Sequence, residues 1–361
     1  MRHKTAIILG DSFNNTLGLI RSLGEVNVKV VLILVGDDRL FVSKSRYVKE
    51  VHKISSLKEV DNVLKSLSNQ YKDSFLITSN DKSAKWIDDN EQWLSRLFIT
   101  PMRGKRLGRL FEKPDQCRLA EEYGITVPKS LVYNRNSSFP TCLNYPILLK
   151  PVDSNAGEKS DIHICRSEEE VRTALQQESS CQSYIVQEYI EKEYEINMIG
   201  VSTDWGVVVP GGIMKLRHYP TIYSPCSYGK FLSAGELGVD VESIGRLIES
   251  IGFHGPFSVE FLRKNGKNYF MEINFRHDGL AYTATAAGVN LLKMYVEGKP
   301  LQYTLRPTYM MDLSSDYCHV KDGNLNRSVW IKDFIKTGCQ LNFNLCDPLP
   351  TIKYYLAKLI R

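Results

Sequence analysis

GPFSVEFLRKNGKNYFMEINFR, residues Gly255 to Arg276, decides how this chain is read. Apolar and polar residues alternate from Phe257 to Leu262 and again from Tyr269 to Asn274, around a turn at Lys264-Asn265-Gly266, so the stretch predicts a β-hairpin. Strand side chains alternate between faces, which puts Glu272 and Asn274 on one face and Met271 and Ile273 on the other. Where Glu260 points depends on the turn. A two-residue Asn-Gly loop pairs Glu260 with Met271 and separates the two glutamates. A three-residue loop Lys264-Asn265-Gly266, with Gly266 in a left-handed bulge, pairs Glu260 with Phe270 and brings Glu260, Glu272 and Asn274 together beside Arg276. Three hard oxygen donors with incomplete coordination describe a Mg2+ site that phosphate oxygens would complete. The plainer reading is an amphipathic hairpin whose polar face meets water.

At 361 residues the chain is long enough for two or three domains. Its hydrophobic fraction of 43% and charged fraction of 24% are those of a soluble globular protein. A net charge of +5 suits anionic ligands such as nucleotides and is too weak to argue for nucleic acid. The eight cysteines form no C-x-x-C pair and no zinc-like spacing with the histidines, so we read them as reduced, packed thiols of a cytoplasmic protein. The start MRHKTAIILG lacks a signal-peptide layout because its apolar run breaks at Gly10-Asp11. The longest apolar stretch, Val28–Val35, is far too short to span a bilayer.

From the N-terminus, apolar runs at residues 4–9, 28–35 and 75–78 and a short one at 47–54 alternate with helical patterns. That order predicts a parallel sheet of Rossmann-like type. GDSFNNTLG is not G-x-G-x-x-G, so dinucleotide binding is not indicated. Asp81 follows the strand at 75–78 and reads as a helix N-cap, at a place where such sheets also carry substrate-facing residues. A break at Thr100-Pro101 leads into FEKPDQCRLAEEYG, a helix opened by Pro114 and closed by Gly124, with Lys113 at its edge as a solvated charge. YPILLKP is a buried strand ending in Lys150, a cation that needs an anion there. The polar loop DSNAGEKSDIHI, with Gly157, could wrap phosphates with its amides. Strands follow at 183–190, 193–201 and 206–215. In KLRHYP, Lys215 and Arg217 alternate onto one face.

The order of Lys113, Lys150 and the string Met-Glu-Ile-Asn-Phe-Arg, whose Glu272 lies twelve residues after Glu260, resembles the ATP-grasp superfamily, where a first Glu is followed by Glu-x-Asn-x-Arg. The resemblance implies an α/β protein: a Rossmann-like domain over residues 1–102, then a two-lobed α+β ATP-grasp domain over 103–300, with its small lobe at 103–183 and its large lobe at 184–300. A C-terminal extension completes the chain at 301–361. The resemblance also implies ATP and Mg2+ as cofactors. Glu260, Glu272 and Asn274 would hold the metal, and Lys113, Lys150 and the loop at Gly157 would hold the phosphates. The Glu188 carbonyl and Ile190 amide would meet the adenine, and Glu193 and Glu195 compete for the ribose. Arg276, with Lys215 and Arg217, would serve catalysis, and His218, His277 and Asp278 lie near enough in sequence to accept a proton or to orient substrate. GGIMKLRHYP and DPLPTIKYYLAKLIR resemble carboxylate–amine ligases related to D-aspartate ligase, including enzymes of surface-polysaccharide synthesis. Ala156 and Ser160 depart from the glycines that relatives carry in the phosphate loop.

The implied activity is ATP-dependent joining of a small-molecule carboxylate to an amine through an acyl phosphate, giving ADP and phosphate. Alternatives are a thiol acceptor, another acyl-phosphate ligase, or a silent nucleotide-binding protein. A cell-envelope or polysaccharide precursor is a candidate substrate. In residues 351–361, Ile352, Tyr355, Leu356, Leu359 and Ile360 form one helical stripe. We expect it to dock on the chain's own body, with weak membrane contact as the other reading.

Overall fold

The computed structural model describes residues 4–11, 13–36, 41–140, 144–151, 163–177 and 182–359. Gly157 and the rest of the expected phosphate loop lie outside the described residues. Three sheets organise the chain.

The first sheet contains β1 (Thr5–Gly10), β2 (Lys29–Val35), β3 (Val48–Ile54) and β4 (Phe75–Thr78) in the order β3-β2-β1-β4. Every pairing is parallel. The apolar runs at β1 and β2 are buried on both faces, as parallel strands between helices must be. The crossovers run through α1 (Asn14–Gly24) and α2 (Val60–Ser68), and α3 (Asp81–Leu94) follows β4. Asn80, not Asp81, is the N-cap of α3, accepting a bond from the Ser83 amide. Strands β2 and β4 flank β1 from opposite sides, so the chain reverses direction of travel beside β1. In such sheets ligand crevices open at the carboxyl ends of the strands at this reversal.

The second sheet follows α4 (Lys113–Glu122) and is small and antiparallel. It contains β5 (Ser130–Asn134), β6 (Ile147–Pro151), β7 (His163–Cys165) and β8 (Ser183–Glu188), ordered β5-β8-β6-β7. Tyr133, Leu149, Tyr184 and Val186 form its core with Val171 and Ala174 of α5 (Glu168–Gln177).

The third sheet is the largest. It comprises β9 (Tyr194–Thr203), β10 (Gly206–His218), β11 (Cys226–Ser233), β12 (Gly255–Lys264), β13 (Lys267–Asn274), β14 (Thr308–Met311) and β15 (Thr337–Gln340), ordered β13-β12-β9-β10-β11-β14-β15. Helices α6 (Ala234–Leu237) and α7 (Val241–Ile251) precede the hairpin, and α8 (Tyr282–Ala286) and α9 (Leu291–Glu297) follow it. One face buries Ile196, Met198, Val259, Phe261, Phe270 and Ile273 against α7. The other buries Ile199, Val201, Ile213 and Phe231 in a core shared with β1, β2, α1 and α9. That second face turns polar along β9, where the row Val201, Ile199, Asn197, Glu195 steps from core to cleft.

The last sixty residues add β14 and β15 to this sheet, with α10 (Leu313–Lys321), α11 (Arg327–Lys336) and α12 (Leu349–Leu359) around them. The expected docking of the α12 stripe is not seen at its described side chains. Ile352, Tyr355 and Leu356 are 48%, 39% and 45% exposed, while Thr351 is buried and Tyr354 meets the Phe41 ring at 5.3 Å. The preceding segment sets this orientation: the Thr351 hydroxyl donates to the Asn342 carbonyl, and Asp347 is fixed in the core of the first unit.

Candidate functional site

The hairpin resolves its own ambiguity in a way neither loop length anticipates. Lys264 pairs with Lys267, so the loop is the two residues Asn265 and Gly266, at φ 48° and 76°. Both are left-handed, which an Asn-Gly pair supplies at little cost. The pairing then runs Leu262 to Tyr269 and Phe261 to Phe270, slips by one residue, and resumes with Glu260 opposite Glu272. Met271 is the extra residue of a β-bulge. The bulge keeps Phe270 in the core, its ring 6.1 Å from that of Phe261, and turns Glu272 to the opposite face. The two glutamates become direct cross-strand neighbours, and Asn274 lies opposite Ser258 in the same row. The expected convergence holds; the three-residue loop does not.

Two carboxylates opposite each other on a sheet repel unless cations intervene. Here each has one. Lys215 Nζ lies 2.8 Å from Glu260 and 2.9 Å from Glu195, and Lys113 Nζ lies 2.6 Å from Glu272. Burial alone would pull the Lys215 pKa down, but Glu260 and Glu195 outweigh it and hold the ammonium well above its ordinary value. Burial pushes the Glu260 pKa up and Glu272 adds to this, while Lys215 opposes both. Lys113 therefore does more than solvate the surface.

Lys150, at the end of β6, donates to Gln187 Oε1 at 3.3 Å. Among the described residues it has no carboxylate partner. Burial, and then the charge of Lys113, lower its pKa. Both lysines line a cleft of about 300 Å3 between α4 and the small sheet, with Pro128, Ser130 and Gln187. Arg118 and Glu121 also line the cleft, so its cations outnumber its carboxylates and leave positive potential for an anion.

Arg276 leaves the end of β13 and joins the first unit to the third sheet. Its Nε donates to Asp81 at 2.8 Å and Nη2 to the other Asp81 oxygen at 3.3 Å, while Nη1 reaches Asp278 at 3.2 Å and Nη2 reaches Asn274 Oδ1 at 3.1 Å. Asp278 is fully engaged: it also accepts from Asn197 at 2.9 Å, Ser258 at 3.2 Å and the Leu280 amide at 2.8 Å. Burial disfavours its charge, yet Arg276 and these donors hold its pKa below the ordinary value, so a proton-accepting role is not supported. His277 is buried, its pKa lowered to about 4 by burial, and its Nδ1 has no partner among the described residues. His218 is half-buried, with Nδ1 against the Ser224 carbonyl at 2.8 Å, and burial lowers its pKa too.

Two expected site residues go elsewhere. Lys215 and Arg217 do not share a face, because the pairing with β11 slips between them. Arg217 instead stacks on Tyr228, 4.0 Å from the ring centre, and binds Asp316 at 2.8 Å and Asp333 at 2.7 Å on α10 and α11. Glu193 is exposed and accepts the Asn265 amide at 2.9 Å, stabilising the hairpin turn, whereas Glu195 sits in the row with Lys215. Glu188 ends β8, its carboxylate accepting the Lys129 amide at 3.3 Å, and the buried Ile190 follows in the link to β9. One residue was missed. Asn197 is 1% exposed, lies opposite Glu260, and has its Oδ1 unpartnered among the described residues. A lone Asn between Ile196 and Met198 in an apolar strand was the available signal. Asp81 was named, but not as the partner of Arg276.

A Rossmann-like sheet, a small antiparallel lobe whose cation-lined cleft opens against α4, and a large, mainly antiparallel lobe define a two-lobed α/β protein. Residues 118–290 match the ATP-grasp domain, and the chain carries that domain. The carbamoyl phosphate synthase large chain of Hyperthermus butylicus is 26% identical over 216 residues, covering 56% of this chain and 19% of its own length. A formate-dependent phosphoribosylglycinamide formyltransferase of Nitratiruptor is 28% identical over 173 residues, covering 44% of this chain and 42% of that one. The chain thus spans less than half of these curated relatives. Among solved structures, N5-carboxyaminoimidazole synthetase from Staphylococcus aureus, complexed with ADP, superposes with a TM-score of 0.68 at 15% identity over 90% of this chain and 86% of that one. An L-amino acid ligase from Bacillus licheniformis superposes at 0.63 and 13% identity, over 85% and 79%. The fold is shared over 85–90% of this chain. No described helix is long and apolar enough to cross a membrane.

Proposed function

We propose that this chain is an ATP-dependent ligase that activates a carboxylate as an acyl phosphate and joins it to an amine, releasing ADP and phosphate. The observation that carries the reading is the bulge-imposed pairing of Glu260 with Glu272, on the face that also presents Lys215, beside the cleft of Lys113 and Lys150. The donor set fits Mg2+: two carboxylates now facing ammonium groups, and the Asn274 carbonyl, which has a second lone pair beyond its bond from Arg276. No group of three or more His, Cys, Asp or Glu poised for a metal occurs among the described residues, so the site depends on that amide. Glu260, Glu272 and the Asn274 carbonyl would hold Mg2+, which would supply neutralisation of the charge on the transferred phosphoryl group.

Lys113 and Lys150 bind phosphates, and the entry of a nucleotide relieves their mutual repulsion. The Glu188 carbonyl and Ile190 amide meet the adenine edge. Occupation of Glu193 at the hairpin turn supports Glu195 for the ribose hydroxyls. Arg276, held by Asp81 and Asp278, presents its charge to the substrate carboxylate and to the oxyanion that forms on it. Lys215 favours the charged form of Glu195 and opposes the burial that disfavours the charge of Glu260. A cell-envelope or polysaccharide precursor as substrate rests on the likeness of GGIMKLRHYP and the C-terminal segment alone; none of the relatives named above carries such a substrate in its name. The domain boundaries at 102, 183 and 300 belong to the same proposal.

ADP release over a panel of acids and amines tests the activity. Release that needs both an acid and an amine is expected. Glu272→Gln should lower it by about 10²-fold with unchanged unfolding, since one charge is lost without a change of shape. Release at the original rate in that variant removes Glu272 from the metal site.

A further inference from the structure

Helix α12 turns four of its described apolar side chains outward. Leu349, Ile352 and Leu356 are 51%, 48% and 45% exposed and Tyr355 is 39% exposed, spaced to lie along one side of a helix. Exposed apolar side chains in a row mark a contact surface. The charges around them say what it meets. From Pro348 to Arg361 the sequence holds Lys353, Lys358 and Arg361 and no acid. The short turn Val42–Lys44, against which the helix packs, adds exposed Lys44, and Arg46 follows. Among the described residues the adjacent carboxylate is Asp347, which is 1% exposed and bound by Arg21, Ser45 and the Arg46 amide, so it neutralises none of this surface. A second copy of the chain would bring the same cations face to face in a two-fold contact.

We propose that the outward face of α12 docks on an anionic lipid bilayer, the helix lying in the plane of the headgroups with Ile352, Tyr355 and Leu356 turned to the acyl boundary. A face this short, flanked by a handful of cations, binds reversibly and loses its hold as salt screens the attraction. The inference stands apart from the ligase reading, since it uses no residue of the cleft.

The test is flotation of the full chain with phosphatidylcholine vesicles that contain phosphatidylserine, compared with pure phosphatidylcholine. The expected result is flotation with the anionic vesicles alone, reversed by high salt. Ile352→Glu with Leu356→Glu should cut partitioning by about tenfold or more, because two apolar contacts become repulsive ones. Both side chains are exposed, so the thermal midpoint of this variant should match the original, which separates lost docking from lost folding. Absence of flotation with anionic vesicles, equal flotation of the variant, or a self-dimer in sedimentation that the variant abolishes would each overturn the proposal.

Discussion

The site's electrostatics are decided by single side chains. Lys150 is the cation with the least internal compensation, since Gln187 offers it a dipole and Lys113 a like charge. Lys150→Ala should weaken nucleotide binding by about 1.5–3 kcal/mol, the scale of a charge-assisted hydrogen bond. Equal affinity of both proteins in calorimetry would mean that the lysine serves the lobe and not the nucleotide. His277 makes a separate statement about pH. Its folded pKa of about 4 lies below the ordinary 6.5, so the unfolded chain binds the proton more readily between those values. Stability contributed by the neutral ring is therefore complete above pH 6.5 and is lost as pH falls towards 4, by about 3 kcal/mol. Urea unfolding between pH 4 and 7 measures the slope, and His277→Gln should remove that part of it. An unchanged slope in the variant assigns the acid sensitivity to other groups.

At the scale of the element, the hairpin depends on its two left-handed residues and its bulge. A methyl group at Gly266 would meet nothing within 4 Å, so Gly266→Ala tests backbone conformation alone. At φ 76° the expected loss is about 1–2 kcal/mol in urea unfolding; no loss would mean that the turn relaxes to another type. The same hairpin shows what the sequence could tell. Alternation and Asn-Gly specify two strands and a tight turn, because both are local. The slip at Met271 is not local: it reconciles a core that wants Phe270 against Phe261 with a cleft that wants Glu272 beside Glu260. The slip after Lys215 is of the same kind and sends Arg217 to Asp316 and Asp333. Alternation was legible; register was not. For α12 the periodicity was read correctly, but periodicity names an apolar side without saying what covers it. Strands β11, β14 and β15 were not anticipated, since CSYGKFLS and TGCQ carry little apolar alternation and take their places by pairing with strands already formed.

Across the whole molecule, the first and last parts of the chain close on each other. Asp81 of the first unit holds Arg276 of the third sheet, and the His277 amide donates to the Thr78 carbonyl at 3.1 Å. The crevice at the carboxyl ends of β1 and β4 thus abuts the end of the β12–β13 hairpin, and one arginine ties the two together. On the far side of α1 a second tie returns the C-terminal segment to the same unit. Arg21, fully buried, donates to Asp347 Oδ2 at 3.2 Å, to the Asp347 carbonyl at 3.2 Å and to the Leu341 carbonyl at 3.0 Å. Asp347 also accepts from Ser45 Oγ at 2.8 Å and the Arg46 amide at 2.9 Å. Removing one member of such a pair strands the other charge in a dry core, which costs about 3–5 kcal/mol. Asp347→Ala should show a loss of that size in urea unfolding. Arg21→Met combined with Asp347→Ala should recover part of it, because no charge is left unpaired. Recovery should stay incomplete, since the Ser45 hydroxyl, the Arg46 amide and the Leu341 carbonyl lose partners that an apolar side chain cannot replace. A loss below about 1 kcal/mol for Asp347→Ala, or strictly additive effects of the two changes, would show that Arg21 finds other partners. The C-terminal segment would then be held to the first unit by apolar contact alone.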